Sequence, residues 1–359
     1  MAEQRLEENG LVERLKSAAA DLGVPRLIIF AFLAAMVVAA FLLELPIDTL
    51  TGNVLTRFGM NGILVLAMIP TMQVGMGPNF GLPLGITCGL VAATLSIELG
   101  FAGLQGFLVA LSVAIALGAA AGYAYGLLLN KVRGEEMTVG TYFGFSIVSL
   151  MSIFWALAPY KSPEMIWPYG GSGLRVTITL QNHFDKILDH FLAFTVFGID
   201  VPTGLLLFFF AACFLLWLFM RSRHGIAMTA VGNNIRFAES VGLNVNRYRL
   251  LASTLSGALG AAGIIIYAQS YGFLQLYQAP LFMAFFAVGS ILIGGASINH
   301  ATIKHAVIGT FLFQALLVVS LPVANLVVSE NLSEVIRIII TNGIILYALS
   351  RRESGGETR

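Results

Sequence analysis

The chain has 359 residues, of which 57% are hydrophobic and only 11% are charged, and its formal net charge is +1. Soluble domains average about 25% charged residues, so this chain lacks the polar surface that a water-facing globule needs. The small net charge argues against a nucleic-acid-binding protein that relies on bulk positive charge. The two cysteines, Cys88 and Cys213, lie in apolar runs and predict neither a disulfide nor a metal site.

Residues 1–21 are polar and mixed in charge before the first apolar run, so we expect no secretory signal there. Four leucines could form a stripe on a short helix at the membrane surface: Leu6, Leu11, Leu15 and Leu22. A solvated tail is the equal alternative. In either case we expect residues 1–24 to be a cytoplasmic N-terminal segment.

Ten stretches carry about 20 mainly apolar residues, the length that a helix needs to cross a ~30 Å hydrocarbon core. They lie near 26–45, 56–74, 81–99, 104–129, 138–159, 201–220, 250–270, 280–297, 303–323 and 332–350. The sequence therefore predicts an all-α, polytopic transmembrane helix bundle of about ten spans within residues 25–350.

Prolines interrupt the second and third stretches, at Pro70, Pro78 and Pro83, so we expect at least one broken helix. A helix can break in a membrane only where the freed backbone meets protein or a water-filled cavity. Four residues of this segment are therefore candidates to line a translocation path: Gln73, Gly75, Gly77 and Asn79. Uncharged amides there suit a neutral polyhydroxy solute, although both amides could instead bond to local backbone.

Glycines four residues apart mark close helix packing in the fourth stretch, at Gly118, Gly122 and Gly126. Apolar helices gain little from burying apolar surface in lipid, so they associate where small residues let backbones approach. We expect these glycines to pack against another helix, with lining of the path as the alternative.

Basic residues cluster in alternate loops, which predicts that those loops are cytoplasmic. They are Arg14, Lys16, Arg26, Lys131, Arg133, Arg221, Arg223, Arg236, Arg247, Arg249, Lys304, Arg351 and Arg352. The long loop 160–200 falls on the opposite, extracytoplasmic side. Both termini are then cytoplasmic, including the tail 351–359, and an even number of spans is required.

Charge is nearly absent from the apolar interior, and Glu98 is the only charged residue between Phe58 and Asn130. A proton-coupled carrier usually places an ionisable side chain at mid-membrane, so this pattern argues against one. Glu334 and Arg337 are spaced for a local salt bridge near the last span. The energy source is therefore expected on another subunit.

The loop 221–249 contains a short helix with signals at both ends. Asn233 or Asn234 can cap its start, and Gly242 can adopt the left-handed conformation that ends it. Its predicted apolar face consists of Ile235, Ala238 and Val241. A capped helix between two spans suits a docking element, with an ordinary ordered loop as the alternative.

Several residues of this loop match a known pattern in register: Arg223, Gly225, Ala230, Val231, Gly232, Asn233, Ala238, Gly242, Leu243, Val245 and Arg247. Downstream, residues 293–297 read Ile-Gly-Gly-Ala-Ser. Over roughly 197–350 the chain thus resembles the permease subunits of the sugar and branched-chain amino-acid class of ABC importers. The first half departs from that family: residues 73–81 lack its Asp and Ser, and residues 135–141 lack its Pro-Phe-Ile pattern.

The resemblance implies a coupling contact with an ABC ATPase subunit. Its residues would be Gly232, Asn233, Asn234, Arg236, Ala238, Glu239 and Gly242. A second cytoplasmic contact would involve Glu135, Glu136 and Thr138. The other implied partners are an extracytoplasmic solute-binding protein and a second permease copy or paralogue, in a bacterial inner membrane.

The chain has no Gly-x-x-x-x-Gly-Lys-[Ser/Thr] loop, so we expect ATP and Mg²⁺ on the partner subunit and no cofactor or catalytic residue here. Simple sugars rank first among substrates, then nucleosides and branched-chain amino acids. A stand-alone secondary transporter or channel is the alternative function. An intramembrane enzyme is disfavoured because the spans contain no hydrolase motif.

Overall fold

The computed structural model describes residues 24–166, 173–196 and 198–327, together with residues 338 and 342–343. The helices are α1 Val24–Leu42, α2 Ile47–Leu66, α3 Ile69–Gln73, α4 Leu82–Glu98, α5 Gly103–Lys131, α6 Glu136–Leu157, α7 Ile187–His190, α8 Thr203–Arg221, α9 Arg223–Asn233, α10 Ile235–Ser240, α11 Val245–Tyr271, α12 Ala279–Ile293 and α13 Ile303–Val327. The leucine stripe of the N-terminal segment, nearly all of the stretch 332–350 with Glu334 and Arg337, and the tail 351–359 lie outside the described residues.

Six helical segments of the described chain are long and apolar enough to cross a membrane. They are Ile47–Gln73, Gly103–Lys131, Glu136–Leu157, Thr203–Arg221, Val245–Tyr271 and Ile303–Leu326. Three shorter apolar helical segments join them: Ile29–Leu42, Leu82–Glu98 and Ala279–Ile293. The prediction of a mainly helical, polytopic bundle is confirmed at this level.

Two short antiparallel strand pairs depart from the predicted all-α class. Strand β1, Thr177–Thr179, pairs with β4, Phe273–Gln275, so that Ile178 faces Leu274. Strands β2, Phe194–Val196, and β3, Ile199–Val201, form a hairpin. Three-residue strands carry too little hydrophobic periodicity to be read from sequence, and here they satisfy backbone groups of the connections outside the long helices.

The connections gather at two ends of the bundle. One end, here called the basic end, holds the connections 74–81, 132–135, 222–244 and 294–302. The other, the acidic end, holds 43–46, 99–102, 158–202 and 272–278. Hydrogen bonds near the helix ends hold each end together: at the basic end, the Asn130 side chain at the end of α5 donates to the Asn246 carbonyl at the start of α11 at 3.1 Å. At the acidic end, the Gly103 backbone N–H donates to the His183 carbonyl.

Helices α5 and α11 approach each other along a seam of glycines. A Cβ added at Gly118 would lie 2.5 Å from the Gly257 carbonyl oxygen, and one at Gly122 would lie 2.5 Å from the Ser253 carbonyl oxygen. At Gly126 the added Cβ would lie 3.0 Å from the Ser253 Cβ. All three glycines named by the sequence therefore face α11, where a larger residue would push the helices apart.

Helix α2 begins at Ile47, well before the predicted start near 56. The polar residues that hid this start fit within the helix, because Thr51 Oγ1 donates back to the Ile47 carbonyl at 2.7 Å. Thr56 Oγ1 does the same to Gly52 at 3.0 Å. The helix bends where α3 follows with Pro70 in its first turn, because proline cannot donate the usual backbone bond.

Candidate functional site

The connection between α8 and α11 is more helical than the sequence predicts, because residues 223–233 form α9. Ser222 caps α9 by accepting from the Gly225 N–H at 3.4 Å. Asn234 caps α10, with its Oδ1 accepting from the Phe237 N–H at 3.0 Å. The structure thus selects Asn234 over Asn233 as the cap. Gly242 has φ +83°, and the Leu243 N–H bonds to the Ala238 carbonyl at 2.9 Å.

Helix α10 buries one residue and exposes most of the others. Ala238 is 0% exposed, whereas Ile235 is 39% and Val241 is 55% exposed. The predicted apolar face therefore does not pack inward as a unit, because a six-residue helix seats only one position against the bundle. Phe237, which the predicted apolar face did not include, is 59% exposed beside them. Three apolar side chains thus face outward at the basic end.

Charged residues of α10 are also exposed, and one ties it to the neighbouring connection. Arg236 and Glu239 are both exposed. Glu239 lies 3.7 Å from Arg133 of the 132–135 connection, in a pair whose side chains are about half exposed. Arg133 also donates to the Asn246 Oδ1 at 2.6 Å. This places α10 beside the start of α6.

The end of α9 lies against residues 73–81, here called the broken segment. A Cβ added at Gly232 would overlap the carbonyl oxygen of Gln73, and one at Gly75 would lie 3.2 Å from the Gly232 Cα. Gly75 has φ +83°, a conformation that glycine adopts without strain. The predicted coupling residue Gly232 and the predicted path residues Gln73 and Gly75 therefore form one contact.

The Gln73 side chain completes a three-way junction at the basic end. It is 7% exposed. Its Nε2 donates to the Ala301 carbonyl of the connection before α13, and its Oε1 accepts from Thr229 Oγ1 of α9 at 3.3 Å. Gln73, Gly75, Thr229, Gly232 and Ala301 are named here the junction. It joins the broken segment, α9 and the 294–302 connection.

Asn79 is also buried and engaged with protein groups. It is 6% exposed, and its Nδ2 donates to Ser256 Oγ of α11 at 2.8 Å. Its Oδ1 accepts from the Gly81 N–H at 3.0 Å. At Gly77 an added Cβ would lie 3.1 Å from the Met137 Sδ. A role for Gln73, Gly75, Gly77 and Asn79 in lining the path stays a prediction, since both amides bond to protein in this conformation.

The predicted second contact divides into one buried and two exposed residues. Glu135 and Thr138 are exposed. The Glu136 Oε1 accepts from the Arg249 Nη2 at 2.6 Å, and the two side chains are 12% and 3% exposed. Arg249 also donates to the Asn130 Oδ1 at 3.0 Å. Glu136 therefore links α6 to α11. No sequence pattern near Glu136 predicts this role.

Comparisons with known proteins agree on a transport family. A family model described as "Branched-chain amino acid transport system / permease component" matches residues 50–345. The chain is 26% identical over 246 residues to the autoinducer 2 import system permease protein LsrC of Enterobacter sp. (strain 638), covering 68% of this chain and 64% of that relative. The protein of the same name from Klebsiella pneumoniae subsp. pneumoniae is 27% identical over 218 residues, covering 60% and 56%.

A shorter match links the chain to a nucleoside transporter. The nucleoside ABC transporter permease protein NupC of Lactococcus lactis subsp. cremoris is 39% identical over 54 residues, covering 15% of this chain and 17% of the relative. The chain thus spans less than two thirds of the length of each of these relatives. No solved structure matches it.

Proposed function

Because this chain belongs to the family of branched-chain amino acid transport system permease components, we propose that it is the membrane-spanning permease subunit of an ATP-binding-cassette importer. The resemblance read from the sequence is confirmed by that membership, and so is the location as a multi-pass protein of a bacterial cell membrane. The importer role, its partners and its substrate are the proposal.

The observation that carries the proposal is the way α10 is presented. The exposed apolar side chains of Ile235 and Phe237 in α10, and of Val241 directly after it, face away from the bundle. Exposed apolar side chains that cluster in this way mark protein interaction sites. We therefore assign this surface to the ATPase subunit, which binds ATP and Mg²⁺, and we expect no hydrolysis by the permease itself.

The junction gives that surface a route into the bundle. A displacement of α10 by the ATPase would move α9, and Gly232 of α9 touches the backbone at Gln73. Closely packed elements of this kind move as rigid bodies rather than deforming. The Gln73 amide would carry the same displacement to the connection before α13, through its bond to Ala301. This route supports a mechanism in which ATPase closure shifts α3, α9 and α13 together.

The proposal includes the topology that the described residues leave open. Nine apolar helical segments and a tenth span near 332–350 would give ten crossings with both termini cytoplasmic. The basic end would then face the cytoplasm. Residues 1–24 and 351–359 would be cytoplasmic, 25–350 the transmembrane domain, 221–249 the coupling loop and 160–200 the extracytoplasmic loop.

The proposed substrate is a small hydroxylated solute, most simply a sugar, with nucleosides and branched-chain amino acids next. The names of the relatives, an autoinducer 2 import permease and a nucleoside transporter permease, support that order. An extracytoplasmic solute-binding protein would deliver the solute, and a second permease copy or paralogue would complete the path.

The test is affinity purification of the full chain from native membranes in mild detergent, with mass spectrometry of the proteins that accompany it. We expect an ATP-binding subunit and a second permease, with ATP-dependent uptake after reconstitution with the binding protein. Solute movement by the chain alone in liposomes without ATP would instead establish a stand-alone carrier or channel.

A further inference from the structure

A cavity of about 290 Å³ opens at the acidic end, far from the junction. It lies between α2, α11, α12 and α13, and residues of the β1–β4 pair form part of its wall. Its volume is at the low end of the ~300–1,000 Å³ that small-molecule sites occupy. A solute of monosaccharide size matches such a space.

Arg57 supplies a cation to this cavity. It is ten residues into the segment Ile47–Gln73, about 15 Å along the helix from its first residue, and its side chain is exposed. In the described part of the chain, no carboxylate pairs with it and no acceptor bonds to its guanidinium. A charge within a membrane span usually faces a water-filled cavity and marks the route of a solute.

Gln314 supplies an amide without a protein partner. Its side chain is 3% exposed and lines the same cavity from α13. Within residues 24–327, as far as these are described, no hydrogen bond to its amide exists. Buried amides are normally bonded, because an unmade bond leaves the cost of desolvation uncompensated. Because the Gln314 amide lines the cavity, a bound molecule can take the hydrogen bonds that the protein leaves unmade.

The remaining walls define which chemistry fits. Tyr267, Phe282 and Phe286 give aromatic and apolar surface, and the described lining contains neither aspartate nor glutamate. A solute with an ammonium group would find the Arg57 cation and no counter-ion. A guanidinium instead bonds a carboxylate through two parallel N–H donors.

We propose that this cavity binds a monosaccharide-sized hydroxylated carboxylate, with Arg57 holding the carboxylate and Gln314 bonding a hydroxyl. The inference rests on the proposed importer function and deepens it, because it names an anionic sugar as the substrate class. It also separates the solute site, at the acidic end, from the broken segment at the junction.

The test measures protection of an engineered cysteine at the rim of the cavity, in the full chain purified with its ATPase partner. Gln278→Cys provides the reporter, in a background of Cys88→Ala and Cys213→Ala. Gln278 is exposed, lines the cavity and makes no side-chain cap bond to α12. Its rate of labelling by a thiol reagent is followed with increasing D-galacturonate or D-galactose, which differ in that a carboxylate of the first replaces the hydroxymethyl group of the second.

We expect galacturonate to protect at a concentration at least about tenfold lower than galactose, since a bond to a charged group is worth more than one between neutral groups. Arg57→Met should abolish that difference, and Arg57→Lys should retain part of it. Gln314→Leu should weaken protection by both sugars. Lys161→Met, which removes an exposed cation at the same end outside the cavity, should change nothing.

Equal protection by the two sugars, or no protection by either, would overturn the inference. Because the ATPase partner co-purifies independently of any sugar, its presence in such a failed experiment would leave the importer function standing. Its absence would count against the importer function itself.

Discussion

Gly75 and Gly232 touch backbone to backbone, although 157 positions separate them in the chain: a Cβ placed on Gly75 would lie 3.2 Å from the Gly232 Cα. This contact brings the broken segment after α3 against the end of α9. It makes the coupling loop and the segment predicted to line the path into one mechanical unit.

Gly232→Ala is expected to abolish ATP-driven uptake, because the added methyl group overlaps the Gln73 carbonyl oxygen and one element must shift. Overpacking of this kind costs roughly 1–3 kcal/mol. The measurement is uptake in proteoliposomes together with ATPase activity. Gly343→Ala is the control, since a Cβ there meets no described atom within 4 Å. Wild-type uptake by Gly232→Ala would refute the contact as a transmitting element.

Gln73→Leu separates a junction role from a path role. The substitution removes the bonds to Thr229 and Ala301 while keeping a similar volume. We expect the number of solute molecules transported per ATP hydrolysed to fall severalfold. The loss of one or two hydrogen bonds, each worth ~1 kcal/mol, accounts for a change of that size. The preference among solutes should not change. A changed preference with intact coupling would place Gln73 in the path instead.

Phe237→Asp is expected to prevent co-purification of the ATPase subunit without unfolding the permease, because Phe237 is 59% exposed on α10. Loss of a central aromatic residue at an interface costs ~2 kcal/mol or more. Phe194→Asp is the matched control, since Phe194 is 52% exposed at the opposite end. Ala238→Trp is unsuited to this test, because Ala238 is fully buried and its replacement would displace α10. Normal ATPase recovery with Phe237→Asp would move the docking surface elsewhere.

Glu136→Gln is expected to destabilise the protein by ~3–5 kcal/mol, because it leaves the guanidinium of Arg249 buried without its counter-ion. Adding Arg249→Met should recover part of the loss, since removing both charges restores balance. The exposed pair of Arg133 and Glu239 is the comparison, where Glu239→Gln should cost ~0–1 kcal/mol. The measurement is thermal unfolding in detergent. Equal effects at the two sites would contradict the burial of Arg249.

Acid should loosen the 158–202 connection at Glu164. The hydrogen bond from Asn182 is the main influence that holds the pKa of the Glu164 carboxyl below its ordinary value, and His183 adds to it. A carboxyl with a lowered folded pKa stabilises the fold in full above its unfolded value of ~4.3, and that contribution is lost as the pH falls through the folded value. The backbone carbonyl of His183 also accepts a hydrogen bond from the Gly103 N–H, which ties this connection to the start of α5.

The measurement is limited proteolysis of this connection by an acid-active protease as the pH is lowered through that range. Glu164→Gln should remove the pH-dependent step while leaving the cleavage sites unchanged. A step that persists in Glu164→Gln would assign the acid response to another group.

The sequence by itself determined the features that depend on neighbours along the chain. Hydropathy over about 20 residues located the apolar helices, and the spacing of Gly118 and Gly122 indicated a close helix contact. The asparagine and glycine around α10 bounded that helix, because caps bond within a few residues. The strand pairs could not be predicted because three-residue strands carry too short a signal. The early start of α2 could not be predicted because polar residues there bond back along the helix.

Only the tertiary structure decided which of these elements act together. The contacts of Gln73 with Thr229 and Ala301 span 156 and 228 positions, and the pair of Glu136 with Arg249 spans 113. Contacts over such distances leave no periodic trace in one sequence, because they depend on how helices pack rather than on how each one forms. The same reason hid the cavity of Arg57 and Gln314: each residue is an isolated polar side chain on its own helix, and only packing gives them a shared space.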